Sequence, residues 1–117
     1  MRESKFRAWI KDYALMADVN FMNIDYKEIV VMIDENDYEF NCGEYELMQY
    51  TGLKDKNGTE IYEGDIVECF VNGNSHVSFK GGAYGLIFDY SFIPFSDVHG
   101  EMKVIGNIYE HPHLLGD

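Results

Sequence analysis

The feature that most constrains the fold is a series of short apolar segments separated by turn signals at intervals of roughly ten residues. The clearest example covers residues 47–71, where Asn57-Gly58 and Glu63-Gly64-Asp65 interrupt segments rich in Ile, Val and Tyr. An Asn-Gly pair is preferred where a tight turn needs positive φ at both central positions. We therefore predict consecutive strands over residues 47–71, with a tight turn at Asn57-Gly58.

A period-two alternation appears near the start of the sequence. Between residues 5 and 10, every second side chain is apolar, namely Phe6, Ala8 and Ile10. This spacing indicates a strand with one buried face and places Trp9 on the opposite face.

Other segments extend the same pattern along the chain. Strands are predicted for four further segments, residues 28–33, 76–79, 83–88 and 102–105. Residues 34–46 are acidic and polar, and we interpret them as mostly loop, running into a strand near Tyr45. Residues 12–27 fit either a hairpin arm or a short helical turn. The pattern as a whole predicts a single mainly β domain over residues 1–117, a barrel or sandwich with little helix.

The charge of the chain limits its binding partners. It carries 21 acidic and 9 basic side chains, which gives a net charge of −12. Residues 59–117 contain only Lys80 and Lys103 as cations. Binding to phosphates requires Lys or Arg to displace condensed counterions. We therefore expect no direct binding to nucleic acid or to an anionic membrane.

The sequence also bears on the compartment. It contains no apolar stretch of about 18 residues that could span a membrane, and residues 1–5 are not followed by the apolar run of a signal peptide. Cys42 and Cys69 form no CxxC pair. We expect reduced thiols and a cytoplasmic location.

Two segments could be taken for metal sites. His111-Pro112-His113 places two imidazoles near each other, but no cysteine pair or HExxH helix accompanies them, and a surface tail with exposed histidines is favoured. Residues 34–39 resemble the start of a calcium loop, yet Glu39 and Tyr45 occupy the positions where an EF-hand needs Gly and Glu. We expect no metal and no other cofactor.

Catalytic chemistry finds little support in the sequence. Glu63 and Asp65 could act as an acid–base pair, but no cluster of cations accompanies them to shift their pKa values, and turn capping explains both. Cys42 and Cys69 could be nucleophiles only beside a histidine. No phosphate-binding loop, dinucleotide fingerprint or GxSxG elbow is present. We expect no catalytic residues and no enzyme activity.

Three blocks of the sequence resemble the YopX family. They are Lys5-Phe-Arg-Ala-Trp9, the segment from Gln49 through Asn57-Gly58 to Val67, and Val104-Ile-Gly-Asn-Ile-Tyr-Glu110. The resemblance implies mainly β structure, with coiled or bifurcated antiparallel sheets of partly SH3-like barrel character. It also implies a phage or prophage origin, a bacterial host cell and self-association as a homo-oligomer. No reaction, cofactor or catalytic residue comes with it.

The family-motif positions each have a structural explanation. Glycines suit turns or bulges with unusual φ, aspartates suit bonds to turn backbone, and aromatic side chains suit a core. These positions are Trp9, Tyr50, Gly52, Asp55, Gly58, Tyr62, Gly64, Asp65, Gly106 and Asn107.

Two functions from different classes remain open. The first is a non-enzymatic, self-assembling module that binds a host or phage protein, because strand edges and aromatic side chains favour interfaces. The second is an acidic mimic of nucleic acid that inhibits a host enzyme, suggested by the charge of −12. High acidity also serves solubility alone.

Overall fold

The computed structural model describes residues 5–69, 73–98 and 101–116. The strands in these ranges are β1 Phe6–Ile10, β2 Leu15–Asn23, β3 Glu28–Ile33, β4 Asn36–Phe40, β5 Tyr45–Lys54, β6 Glu60–Tyr62, β7 Asp65–Cys69, β8 Gly73–Lys80, β9 Ala83–Phe88, β10 Ser91–Pro94 and β11 Met102–Asn107. Three short 3-10 helices cover Lys11–Tyr13, Phe95–Asp97 and Pro112–Leu115. The prediction of a mainly β fold with little helix is confirmed.

The chain divides into two compact units. Unit 1 ends at Gln49 and unit 2 begins at Tyr50, inside β5. The assignment of the whole chain to a single domain stays a prediction, and each unit is described by itself. All strand pairs are antiparallel, and the described strands form open sheets rather than a closed barrel.

Unit 1 is one antiparallel sheet in the order β4-β3-β2-β1-β5. Its core lies on one face, because alternate side chains of each strand point the same way. The buried members of this core are Ala8, Ile10, Ile29, Val31 and Phe40. The predicted strands at residues 5–10 and 28–33 are confirmed, with Ala8 and Ile10 buried as the alternation requires.

In unit 1, one segment differs from the sequence-based expectation, and another resolves an alternative that the sequence left open. Residues 34–46 contain β4, which pairs with β3 along its whole length, so the loop interpretation of this segment is wrong. The pattern gave no sign of it because four of the five β4 residues are exposed and do not alternate. Residues 12–27 contain both candidates, a 3-10 turn at Lys11–Tyr13 and then the hairpin arm β2.

The β3–β4 connection is a two-residue turn made by Asp34 and Glu35. Both residues have positive φ, and Ile33 pairs with Asn36 on either side of them. Positive φ at both positions is the geometry of a type I′ hairpin turn, which twists in the same sense as the strands. The segment 34–39 that resembles the start of a calcium loop is therefore a hairpin turn followed by the first residues of β4.

Unit 2 contains a five-stranded sheet in the order β10-β9-β8-β7-β11, together with the β5–β6 hairpin. Ile61 of β6 packs in a core with Val67, Val77 and Leu86 of the sheet. The strands predicted near residues 66, 76, 83 and 102 are confirmed as β7, β8, β9 and β11. Phe70 and Val71, the predicted end of the β7 segment, lie outside the described residues.

The turn at Asn57-Gly58 exists but has a different geometry from the expected one. The Gly58 N–H donates to the Asp55 carbonyl at 3.0 Å, so Asn57 and Gly58 are the last two residues of a four-residue turn. Only Gly58 has positive φ, and Asn57 does not. The two-residue turn with positive φ at both positions in unit 2 is Gly81-Gly82, between β8 and β9.

Strand β10 carries no signal that sequence analysis used. It is four residues long and ends at Pro94. Pro94 pairs with Gly85 of β9, where an added Cβ would collide with Pro94 Cα at 2.8 Å and with the Ile93 carbonyl. Gly85 is therefore a site of close backbone approach rather than part of a phosphate-binding loop.

The geometry of the Asn57-Gly58 turn predicts unequal effects at its two positions. Gly58→Val should lower the free energy of unfolding by about 1–2 kcal/mol, because a residue with Cβ is strained at φ +83°. Asn57→Val should change it by about 0.5 kcal/mol or less, since an exposed position with ordinary φ tolerates substitution. Urea denaturation of the two variants measures both values, and equal losses would contradict the assigned turn.

Candidate functional site

Asp55 is a motif residue of unit 2 whose carboxylate accepts three backbone hydrogen bonds. Its Oδ1 accepts the N–H groups of Asn57 and Thr59 at 2.8 and 2.9 Å, and its Oδ2 accepts the N–H of Val104 at 2.9 Å. The side chain is 8% exposed. One carboxylate thus shapes its own turn and ties that turn to β11, which lies 49 residues further along the chain.

The groups around Asp55 stabilise the negative charge of its carboxylate. Burial by itself would raise the pKa of this carboxyl, but the N–H donors of Val104, Thr59 and Asn57, with the nearby charge of Lys103, outweigh it and lower the pKa below its ordinary value of 3.8. Asp55 is therefore ionised at neutral pH, and both of its carboxylate oxygens accept hydrogen bonds from backbone N–H groups. This is a structural role rather than an acid–base role.

A second junction of motif residues lies at the β6–β7 turn. Asp65 is buried and its Oδ2 accepts the Tyr62 N–H at 2.8 Å. Gly64 has φ +82°, donates to the Val77 carbonyl and accepts from the Ile108 N–H at 2.8 Å. Tyr62 lies opposite Tyr50 in the β5–β6 pairing, with ring centroids 5.5 Å apart. This turn joins β8 and the segment after β11.

Asn107 and Gly106 form the third junction. The Asn107 side chain accepts the N–H groups of Tyr109 and Glu110 and donates to the Glu110 carboxylate at 2.9 Å. A Cβ on Gly106 would lie 2.6 Å from the His111 ring, so only glycine fits there. His111 Nδ1 accepts the Asn107 N–H at 3.1 Å.

The histidine tail therefore differs from its predicted form. His111 is half-buried and bonded to the Asn107 backbone, and only His113 is exposed. The Nδ1 of His111 accepts the Asn107 N–H, so this nitrogen is not free to bind a metal. Sequence spacing could not show this contact, which spans the turn that the Asn107 side chain shapes.

The two remaining motif positions lie apart from these junctions. Gly52 has φ +89° within β5, where the register shifts between Tyr50 and Lys54. Trp9 is half-buried in β1 of unit 1, opposite Met16 of β2 and Glu46 of β5. Because Ala8 and Ile10 point into the core, Trp9 points to the other face of the sheet.

Unit 2 also contains a groove of about 630 Å³ lined in part by Lys56, Lys103, Glu68 and Glu101. Its charges are matched within the chain. Lys56 Nζ lies 3.6 Å from Glu101 Oε2, and Lys103 lies directly opposite Glu68 in the β11–β7 register. A groove of paired charges offers little to select an ionic ligand.

The remaining reactive side chains are distributed over separate elements. Cys42 is exposed and Cys69 is buried, and both thiols are free. Burial and the charge of Lys80 lower the pKa of His76 on β8, so this ring is neutral at pH 7. His99 lies outside the described residues. Among the residues that the structure describes, no group of His, Cys, Asp and Glu is arranged to hold a metal.

The most distinctive surface is on unit 1. Phe21 of β2 pairs with Val30 of β3, and Met32 follows two residues later on the same face, opposite the core. Phe21 is 62% exposed and Met32 is 53% exposed. We call these three residues the outer stripe. Sequence analysis missed the stripe because apolar residues at 30 and 32 look like further core in an apolar run.

Carboxylates border the outer stripe on one side. On β4, Glu39 lies opposite Val30 and Asp37 lies opposite Met32, so both point to the same face as the stripe. Both are exposed. Unit 1 therefore presents apolar side chains beside an acidic edge strand.

Comparison with known proteins gives a family. The profile of the family described as YopX protein matches residues 5–116. The chain belongs to the YopX family. The crystal structure of protein EF1440 from Enterococcus faecalis is similar to this YopX-family chain, with 28% sequence identity and a TM-score of 0.68, covering 98% of this chain and 99% of that one. Among curated proteins, none matches this chain significantly. In the described residues, no helix is long and apolar enough to cross a membrane.

The bonding of Asp55 predicts a pH-dependent loss of stability on Asp55→Asn. At pH 7 the NH2 group of the Asn side chain would face a backbone N–H from which the carboxylate accepts a bond. Losing this hydrogen bond to a charged group should lower the free energy of unfolding by about 2 kcal/mol. Because folding lowers the pKa of Asp55, its contribution is present above pH 3.8 and is lost as the pH falls below that value.

The measurement is chemical denaturation of wild type and variant at pH 7 and near pH 3. The exposed Asp97→Asn, which removes the same charge from unit 2, is the control and should change little. A difference between Asp55→Asn and wild type that stays constant down to pH 3 would contradict the role assigned to the carboxylate.

Proposed function

We propose that this YopX-family chain is a non-enzymatic, self-assembling module that binds another protein. We further propose that it is encoded by a phage or prophage and acts in the cytoplasm of the bacterial host. The phage origin rests on the family resemblance, whereas the binding role is supported by the surface of unit 1.

The outer stripe is the observation that carries the proposal. Phe21 and Met32 keep more than half of their surface in solvent although they lie on paired strands. Fully burying such a side chain is worth about 1.5–3 kcal/mol. Large apolar side chains grouped on one face are typical of protein interfaces, whereas single exposed ones are common on any surface.

The motif chemistry supports a role without catalysis. The carboxylates of Asp55 and Asp65 accept backbone N–H groups, and the amide of Asn107 shapes the turn that follows it. These residues hold strands and turns together. Their positions in three structural junctions explain the motif without a substrate.

The acidic mimic is the alternative function. It draws on the net charge of −12 and on the exposed carboxylates of β4. The apolar side chains beside those carboxylates favour a protein interface, because a mimic of polyphosphate needs charge alone. Salt separates the two, since a mimic should lose affinity steeply with salt and should compete with DNA.

The first prediction concerns self-assembly through the outer stripe. Wild-type protein at micromolar concentration should have a mass above the 13.6 kDa monomer in light scattering. The double variant Phe21→Ser, Met32→Ser should shift to the monomer, because the buried apolar area is lost.

Tyr90→Ser is the control for this experiment, since Tyr90 is fully exposed on unit 2. It should leave the mass unchanged, and circular dichroism should show all three proteins folded. A monomeric wild type would refute self-assembly, and an oligomer unaffected by the double variant would refute the outer stripe as its contact.

The second prediction concerns nucleic acid. No fluorescence anisotropy change should occur with labelled duplex DNA even near 50 mM salt, because 21 acidic side chains oppose 9 basic ones. Tight binding that weakens as salt rises would overturn this expectation and point to the basic residues near Lys5, Arg7 and Lys11.

A further inference from the structure

Strand β4 is an edge strand with an open hydrogen-bonding side. Because the β3–β4 turn has two residues, the backbones of Ile33 and Asn36 form a hydrogen-bonded pair. The next pair, Met32 and Asp37, is not joined by backbone hydrogen bonds. The backbone N–H and C=O groups of Asp37 and Glu39 therefore point away from β3. Both residues are exposed, and neither backbone bonds elsewhere in the part of the chain that the structure describes.

By comparison, the two edges of the five-stranded sheet in unit 2 are protected against pairing with another strand. At β11, the Val104 N–H is taken by Asp55 Oδ2 and the Met102 carbonyl accepts the Lys56 N–H at 3.2 Å. Strand β10 has only four residues. The backbone of its last residue, Pro94, points outward, and proline has no N–H to donate. Such devices prevent strand addition at an edge.

The remaining end of a strand series belongs to β6, which follows β5 in the strand order. This strand has three residues, Ile61 and Tyr62 are buried, and the Tyr62 N–H is taken by Asp65 Oδ2. By contrast, the first four residues of β4 are exposed. Among the described strands, β4 therefore offers the most accessible row of unpaired backbone groups.

The charges on β4 select its partner. In a two-fold pairing with a second copy of β4, Asp37 would lie opposite Glu39 of that copy. Sliding the register by one pair sets like residues against each other, Asp37 against Asp37 or Glu39 against Glu39. Like charges directly opposite destabilise a strand pair. A strand with Lys or Arg at alternate positions would instead match both carboxylates.

We propose that the outer edge of β4 binds an extended basic strand of a partner protein, which adds to the unit 1 sheet. The strand bonds to the backbone of Asp37 and Glu39, and its alternate Lys or Arg side chains face their carboxylates. This inference rests on the proposed binding role and names the chemistry of the partner.

The test uses the full-length protein and a labelled nine-residue peptide of alternating Lys and Thr. The control peptide has the same composition with each central backbone nitrogen methylated, which preserves charge but prevents strand pairing. The first peptide should raise fluorescence anisotropy and slow amide hydrogen exchange at Asp37 and Glu39 at least tenfold, while the second should do neither.

Two variants separate the contribution of backbone hydrogen bonds to binding from the contribution of charge. Glu39→Pro removes an outward N–H without touching the β3 pairing and should abolish binding. Asp37→Asn with Glu39→Gln should weaken binding about tenfold at low salt. Asp89→Asn with Asp97→Asn removes two exposed charges from unit 2 and should leave binding unchanged. Far-UV circular dichroism checks that each variant is folded.

Several results would overturn the proposal. These are no binding at millimolar peptide, equal binding of the methylated peptide, full binding by Glu39→Pro, or protection at β10 or β11 instead of β4. Protection of the Asp37 and Glu39 amides in concentrated protein without peptide, lost on dilution, would assign the edge to a second copy and also refute it. If light scattering still shows an oligomer when the peptide fails, the proposed function stands and the β4 inference alone is wrong.

Discussion

The carboxylate of Asp55 is the interaction on which unit 2 depends. It accepts three backbone N–H groups, two from its own turn and one from β11. A buried carboxylate would be costly alone, but these donors and Lys103 keep it ionised with a lowered pKa. The same carboxylate that closes the turn through Oδ1 also covers the edge of β11 through Oδ2. One side chain therefore shapes a hairpin and protects a sheet.

Protection of that kind is unevenly distributed along the chain. In unit 2, Asp55 covers β11 and Pro94 limits β10. In unit 1, β4 has neither device and depends on the charges of Asp37 and Glu39 to discourage pairing with copies of itself. This asymmetry connects the family motif, which is structural, to a proposed binding surface that lies outside it.

The sequence predicts those parts of the fold that carry a clear apolar pattern. β1 follows from its period of two, and β3 follows from a short run of apolar, β-branched residues. β4 was missed because an exposed edge strand has no buried face to produce a period. β10 was missed because four residues ending in proline resemble a loop. The positions of turns were predicted better than their geometry, as Asn57 shows.

The candidate site was harder to predict than the fold. The bond between Asp55 and Val104 spans 49 residues, and only the folded chain shows that a turn residue covers a distant strand. The outer stripe depends on which face of β3 is buried, and a continuous apolar run does not specify that face. Charge and composition, by contrast, already set the expectations about nucleic acid.

The edge of β4 is open to pairing with another strand, whereas the edge of β11 is protected by Asp55. Native-state hydrogen exchange on the free protein tests this difference most directly. Backbone amides that bond within the fold exchange only after local opening, whereas outward amides of an open edge exchange freely. The account predicts that the Val104 amide, held by Asp55, is strongly protected and that the Asp37 and Glu39 amides exchange at nearly the rate of an unfolded chain. Protection at Asp37 and Glu39 equal to that of Val104, in dilute monomeric protein, would contradict it.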